Sequence, residues 1–183
     1  MKKRLVIFSG SNKLIDDQTL FKNLEDIGKN LDVNKFEVWY GGGNSGIMGI
    51  IPKKFSEKDG AVYSVDARQF VEKFPNDKIF GTRYVMETFN ERQNGLVEKG
   101  DLYLCLPGGV GTVSELFDVL VNNDVNGKNL KILLYSYNNF FDDIIHFITV
   151  NIKEGYIRKH ILDNIFVFNN SKDIIDFLDY LDD

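Results

Sequence analysis

Two glycine-rich segments carry the residue types that let a backbone close on an anion. The first is Gly41-Gly42-Gly43-Asn44-Ser45-Gly46-Ile47-Met48-Gly49, the second Pro107-Gly108-Gly109-Val110-Gly111-Thr112-Val113-Ser114-Glu115. Each follows a short apolar run and precedes a stretch of helical period, so each is expected to leave a strand and open a helix. At such a place unpaired N–H groups and the helix dipole favour a phosphate. Glycine also permits positive φ and removes the Cβ that would hold a ligand away. Thr112 is expected to add a hydroxyl to the phosphate contacts and to cap its helix. One loop of this kind equally serves tight strand–helix packing; two in corresponding positions point to a phosphate-bearing ligand.

Neither segment is a Walker A loop, because no Gly-Lys-Ser/Thr closes it. Gly41-x-Gly43-x-x-Gly46 has the form of a dinucleotide fingerprint, but it follows the second expected strand, and its ribose-binding acid would have to be Asp66. His146 and His160 are the only histidines and stand apart, so no zinc site is expected. His146 reads as a partly buried helix residue. The single cysteine, Cys105, lies in the apolar run Leu102–Leu106 and reads as a buried structural thiol. Asp66, Arg68, Arg83 and Glu87 fall near expected strand ends, where any of them can line a pocket. Trp39 and the phenylalanines recur at core spacings.

The elements that must position these residues alternate along the chain. Strands are expected at Leu5–Phe8, Phe36–Tyr40, Ala61–Val65, Ile79–Tyr84, Leu102–Leu106, Leu130–Tyr135 and Ile165–Phe168. Helical periodicity falls at about Gln18–Asn30, Ile47–Lys58, Met86–Lys99, Thr112–Val125, Phe140–Lys153 and Asp173–Leu181. Continuous apolar strands alternating with helices imply a mostly parallel sheet covered on both faces, a doubly wound Rossmann-like α/β fold. Ligands are then expected at the carboxyl ends of the strands.

The 183 residues, without an internal repeat or linker, are expected to form one domain spanning 1–183. A net charge of −5 argues against a nucleic-acid-binding surface. The acidic stretch Asp173–Asp183 reads as one solvated helix face. No membrane-length apolar run is present. The basic start, Met1-Lys2-Lys3-Arg4, is followed by an apolar run that ends at Ser9-Gly10, too early for a secretory signal. A cytoplasmic location is the expectation.

The first glycine segment resembles the GGGxxGxMG motif of the "lonely guy" family of cytokinin riboside 5′-monophosphate phosphoribohydrolases. The second is similar to that family's PGGxGTxxE signature in full, and Phe8-Ser9-Gly10-Ser11 resembles its first strand-loop. The likeness runs from about Leu5 to the C-terminal helix. It implies hydrolysis of a nucleoside 5′-monophosphate, AMP or an N6-substituted cytokinin type, to free base and ribose 5-phosphate. It implies no cofactor or metal, and a homodimer with the active site near the interface. By the same resemblance Ser9, Gly10, Gly41, Gly42, Gly43, Asn44, Gly46, Met48, Gly108, Gly109, Gly111 and Thr112 bind the substrate.

The family's catalytic arginine is matched by Arg92 in Phe89-Asn90-Glu91-Arg92-Gln93, and its catalytic acid by Glu115. Glu115 is read as lying in the first turn of its helix. Phe89 stands in place of the family's methionine and Gln93 in place of its lysine, a lost cation expected to weaken phosphate binding or alter the substrate accepted. The roles suit the chemistry. Cleaving an N-glycosidic bond builds an oxocarbenium-like charge on the sugar. A carboxylate stabilises that charge or positions water, and an arginine orients the carboxylate or holds the phosphate. Relatives are often labelled lysine decarboxylases, but no lysine here is placed for a pyridoxal Schiff base. The rival reading from a different class is a non-catalytic nucleotide-binding or molybdenum-cofactor-carrier-like protein on the same scaffold.

Overall fold

In a computed structural model that describes residues 1–12 and 14–181, seven parallel strands form one sheet in the order β4-β3-β2-β1-β5-β6-β7. The strands are β1 Lys3–Phe8, β2 Phe36–Tyr40, β3 Val62–Ala67, β4 Thr82–Met86, β5 Leu102–Cys105, β6 Lys131–Tyr135 and β7 Ile165–Phe168. The helices are α1 Gln18–Asn30, α2 Ile50–Ser56, α3 Arg68–Lys73, α4 Phe89–Lys99, α5 Val110–Asn126, α6 Asp142–Lys153 and α7 Ser171–Asp179. The doubly wound expectation holds, and the sheet is parallel throughout.

Alternating side chains sort onto two faces, as the period of two requires. Leu5, Ile7, Val38, Tyr40, Leu104 and Leu133 pack against Leu24 and Ile27 of α1, Phe55 of α2 and Ile174 of α7. Val6, Phe8, Trp39, Val65, Tyr103, Cys105 and Leu134 pack against Leu96 of α4, Leu116 and Val119 of α5 and Ile148 of α6. Burial on both faces explains why the strands read as unbroken apolar runs. β4 is the exception: an edge strand whose Thr82, Tyr84 and Val85 are exposed.

From β1 the chain winds outward through β2, β3 and β4, then returns to lay β5 on the other side of β1. The direction of winding reverses between β1 and β5, and the crevice at their carboxyl ends is the place such sheets offer a ligand.

Several expected boundaries move, for local reasons. The strand expected at Ile79–Tyr84 begins instead at Thr82, because Gly81, at φ 74°, turns the chain beside the Val62 carbonyl. The following helix starts at Phe89 rather than Met86. Thr88 and Glu91 form a reciprocal capping box there, satisfying two otherwise unpaired N–H groups. The helix expected from Ile47 begins at Ile50, after a turn that follows Gly46 at φ 61°. The acidic tail is a helix over Ser171–Asp179 that buries Ile174 and Leu178; its last two residues, Asp182 and Asp183, lie outside the described ones.

Candidate functional site

A cavity of about 460 Å³ opens at the carboxyl ends of the central strands. Loops after β1, β2 and β5 supply Ser9, Gly10, Gly41, Gly42, Gly43, Met48, Gly109, Gly111 and Thr112 to its wall, and Arg92 and Glu115 complete the set. The three other residues named from sequence, Asn44, Gly46 and Gly108, are not on the wall; they pack the loops together. A Cβ on Gly46 would stand 2.7 Å from the Gly10 carbonyl, and one on Gly108 would stand 2.1 Å from Thr112 Oγ1. The Asn44 side chain lies against Gly49. Two backbone hydrogen bonds tie the loops at Gly10, whose N–H donates to Pro107 O at 3.1 Å and whose carbonyl accepts from Ile47 N at 3.1 Å.

The start of α5 is open. Gly109 occupies the N-cap position, no side chain caps the helix, and a Cβ on Gly109 or Gly111 would meet nothing within 4 Å. First-turn N–H groups without a cap are free to receive an anion. The expectation that Thr112 caps this helix fails, because Thr112 lies inside the first turn instead of before it. Glu115 likewise sits in the second turn, so the helix dipole alone does not account for an acid there.

Arg92 and Glu115 meet in the floor of the cavity. Arg92 Nη1 donates to Glu115 Oε1 at 2.5 Å, and each residue is only 7% exposed. The remainder of the guanidinium fork is held by two strand ends: Nε donates to Val65 O at 3.3 Å and Nη2 to Gly41 O at 3.4 Å. Phe89 lies one turn back on α4, its ring centroid 5.9 Å from the guanidinium. Burial pushes the Glu115 carboxyl above the usual glutamate range, and the Arg92 charge opposes that rise. One free carboxylate oxygen beside a fixed cation can stabilise positive charge or hold a water.

Gln93 does not face the cavity. Its Nε2 donates to Ser114 Oγ at 2.9 Å and to Asp118 Oδ2 at 2.6 Å, joining α4 to α5. The expected loss of a phosphate-holding cation at this position therefore does not follow.

Of the four strand-end charges, Asp66 and Arg83 line the cavity, while Arg68 and Glu87 pair with each other on the surface at 2.7 and 2.5 Å. Asp66 Oδ2 lies 3.1 Å from Arg83 Nε, without the alignment of a hydrogen bond. Ser9 Oγ, also on the wall, is buried with no hydrogen-bond partner among the described residues. Sequence reasoning missed the short helix α3 and, with it, the wall residues Phe70, Val71 and Phe74. The six residues of α3 carry too short a period to have announced them. Asp77 was missed as well. His146, expected to be partly buried, is exposed on α6, whereas Cys105 is buried as expected and its thiol is pushed up by burial. Among the described residues no cluster of three or more His, Cys, Asp or Glu is placed to hold a metal ion. No helix of the described residues is long and apolar enough to cross a membrane.

The family described as "Possible lysine decarboxylase" matches residues 38–178, which include both glycine loops, Arg92 and Glu115. The chain belongs to that family. Its curated relatives bear out the resemblance to the "lonely guy" group. A cytokinin riboside 5′-monophosphate phosphoribohydrolase of Arabidopsis thaliana is 25% identical over 85% of this chain and 68% of its own length. The enzyme of that name from Rhodococcoides fascians is 28% identical over 73% of this chain and 68% of its own. A probable one from Oryza sativa subsp. japonica is 25% identical over 72% of this chain, which spans 57% of that relative. Among solved structures, the molybdenum cofactor carrier protein of Chlamydomonas reinhardtii superposes with a TM-score of 0.72 at 14% identity, covering 98% of this chain and 97% of its own. The molybdenum cofactor binding protein of Rippkaea orientalis gives 0.67 at 17%, covering 98% and 96%. These two likenesses speak for the fold.

Proposed function

We propose that the chain is a cytosolic phosphoribohydrolase, which hydrolyses the N-glycosidic bond of a purine nucleoside 5′-monophosphate. The observation that carries this reading is the buried Arg92–Glu115 pair, set in the same cavity as the uncapped start of α5. The phosphate sits on the N–H groups of Gly109, Gly111 and Thr112, with the Thr112 and Ser9 hydroxyls beside it. Glu115 then lies one turn further along α5, at the height of the ribose. As the C1′–N bond breaks, its electrons leave with the base and positive charge grows on the ring. The Glu115 carboxylate meets that charge and orients a water; the water's oxygen bonds to C1′, and one of its protons ends on the base. Arg92 keeps the carboxylate ionised and aimed. The relatives named as cytokinin riboside 5′-monophosphate phosphoribohydrolases support the same reaction, and we take AMP or an N6-substituted AMP as the substrate of this chain. No lysine lines the cavity among the described residues, which speaks against reading the family's description literally.

We also infer a homodimer. An apolar surface formed by Val121 and Val125 of α5, Phe147 of α6 and the following Tyr156 supports it.

The test is release of free base, followed by chromatography, from AMP and from adenosine at equal concentration. Rapid release from AMP and very little from adenosine is the expected result, because the phosphate contacts supply the binding energy that positions the ribose. Equal rates would defeat the phosphate assignment. Tight nucleotide binding with no base released from any monophosphate would favour a carrier on this fold.

A further inference from the structure

The mechanism leaves one part of the cavity unused: the wall beyond Arg92, at the ends of β3 and β4. Asp66 ends up there almost wholly buried, at 6% exposure, with Oδ2 against Arg83 Nε at 3.1 Å. Arg83 reaches over it from β4. Its Nε meets the Asp66 carboxylate without the alignment of a hydrogen bond, and its Nη2 makes a long contact to Asp77 O at 3.5 Å. Acid and base are thus held side by side in the cavity wall as an ion pair, 3.1 Å apart through Oδ2 and Nε, with Asp66 Oδ1 and Arg83 Nη1 left without a hydrogen bond among the described residues. A charged pair with hydrogen-bonding atoms to spare in a cavity wall marks a place for a ligand's own polar groups. Beside them stand the apolar Phe70, Val71 and Phe74, with the Phe89 ring edge-on to Phe70 at 6.0 Å.

Position across the sheet says which part of a nucleotide arrives there. The phosphate cradle straddles β1 and β5, whereas Asp66 closes β3, about two and a half strand spacings away, or about 12 Å. A purine nucleotide stretched over the strand ends spans about that from its phosphorus to the far edge of its base, with the ribose over Gly41, Arg92 and Glu115. Ribose hydroxyls fall short of Asp66; the base edge does not.

We propose that Asp66 and Arg83 read the base. Asp66 accepts from an N–H donor on the far edge of the purine, Arg83 donates to the neighbouring ring nitrogen or carbonyl oxygen, and Phe70, Phe74 and Phe89 cover the base. The substrate class this selects is a purine 5′-monophosphate with an N–H beside an acceptor, against a purine without such a donor. The inference rests on the phosphoribohydrolase reading for its turnover assay but not for its binding assay. A site built to hydrogen-bond a donor rejects the analogue that lacks it, because the protein's buried groups are then left unpaired.

The experiment compares AMP with purine riboside 5′-monophosphate, which differs by the missing amino group, in the unaltered protein and in Asp66→Asn and Arg83→Gln. The quantity read is the ratio of kcat/KM for the two substrates, which is unaffected by the fraction of variant that folds. The unaltered protein should prefer AMP by tenfold or more, and Asp66→Asn should reduce that preference by at least fivefold. Arg83→Gln should reduce it as well, by leaving Asp66 without its partner. If nothing is hydrolysed, the enzymatic reading fails, and the same ratio taken from calorimetric dissociation constants decides the base-reading proposal by itself. Equal handling of the two nucleotides by the unaltered protein overturns it. So does an Asp66→Asn variant that loses both nucleotides in equal proportion, since that marks a structural role.

Discussion

Gln93 and Asp118 clasp α4 to α5, with Gln93 Nε2 2.6 Å from Asp118 Oδ2. The side chain that stands where the family carries a lysine is therefore spent between two helices. A lysine placed there finds Asp118 as its counter-ion between the two helices, off the cavity wall. Gln93→Lys is expected to leave the dissociation constant for AMP within about twofold, with no added salt dependence, since the new charge is paired and off the cavity wall. Calorimetry at two salt concentrations checks this. A gain in affinity that fades with salt would show that the residue swings into the cavity.

Glu115→Gln preserves volume while removing the charge that faces the reacting sugar. Turnover is expected to fall on the order of a hundredfold or more with nucleotide binding retained, the pattern of an interaction made in the transition state. The carboxylate is the working form, and burial raises the pH at which it appears. Activity is therefore present above the elevated value and lost as pH falls through it. The acid limb of kcat/KM should lie above the roughly 4.3 of an ordinary glutamate. An acid limb at or below that value would remove Glu115 from the rate-determining ionisation.

Arg92→Met removes one half of a buried ion pair and strands the other. A loss of about 3–5 kcal/mol is expected, and combining it with Glu115→Gln should recover a large part of that loss. For a chain of this size the single variant then melts roughly 6–20 °C lower. Calorimetric melting of the two singles and the double gives the coupling directly; strict additivity would mean the pair is not coupled in solution.

Gly42→Ala attacks the base-reading wall from β2. Gly42 sits at φ 79°, and a Cβ there would stand 2.2 Å from Asp66 Oδ1. The strain of a left-handed alanine costs about 1–2 kcal/mol, and the methyl displaces the Asp66 carboxylate. The variant should melt lower and lose preference between AMP and purine riboside 5′-monophosphate, both readable in one preparation. Unchanged preference would place Asp66 away from the base.

The apolar surface on α5 and α6 predicts a mass by light scattering of twice the 21.0 kDa of the chain. Val125, 71% exposed, is a direct probe: Val125→Glu should shift the protein toward monomer at micromolar concentration without altering its fold. A monomeric unaltered protein would refute the dimer.

The central sheet and the glycine loops were legible because their signals are local: unbroken apolar runs, and glycines where a backbone must turn. Arg92 and Glu115 were legible through the resemblance alone, since nothing in their neighbourhood in the chain announces that α4 and α5 bring them within 2.5 Å. The wall around Asp66 was only half legible. α3 spans six residues, too few for a periodic signal to rise above the background, and its Phe70 takes meaning only beside Phe89 from another helix. The start of β4 was misjudged because Ile79 and Phe80 are apolar, yet the ladder to β3 begins only with Thr82 against Tyr63. Apolarity there serves a loop, with the Tyr40 hydroxyl accepting from Phe80 N at 2.8 Å.

β4 is the outermost strand on its side of the sheet, and most of its side chains are at least partly open to solvent. Arg83 rides on it, whereas Arg92 and Glu115 are rooted in the packed interior. Replacing an edge-strand residue disturbs few neighbours, so on the base-reading proposal a change in β4 alters the base accepted while the Arg92–Glu115 pair stays untouched. Diversification of substrate range on this scaffold should therefore be inexpensive, and its record should be sought first in the segment from Asp77 to Met86.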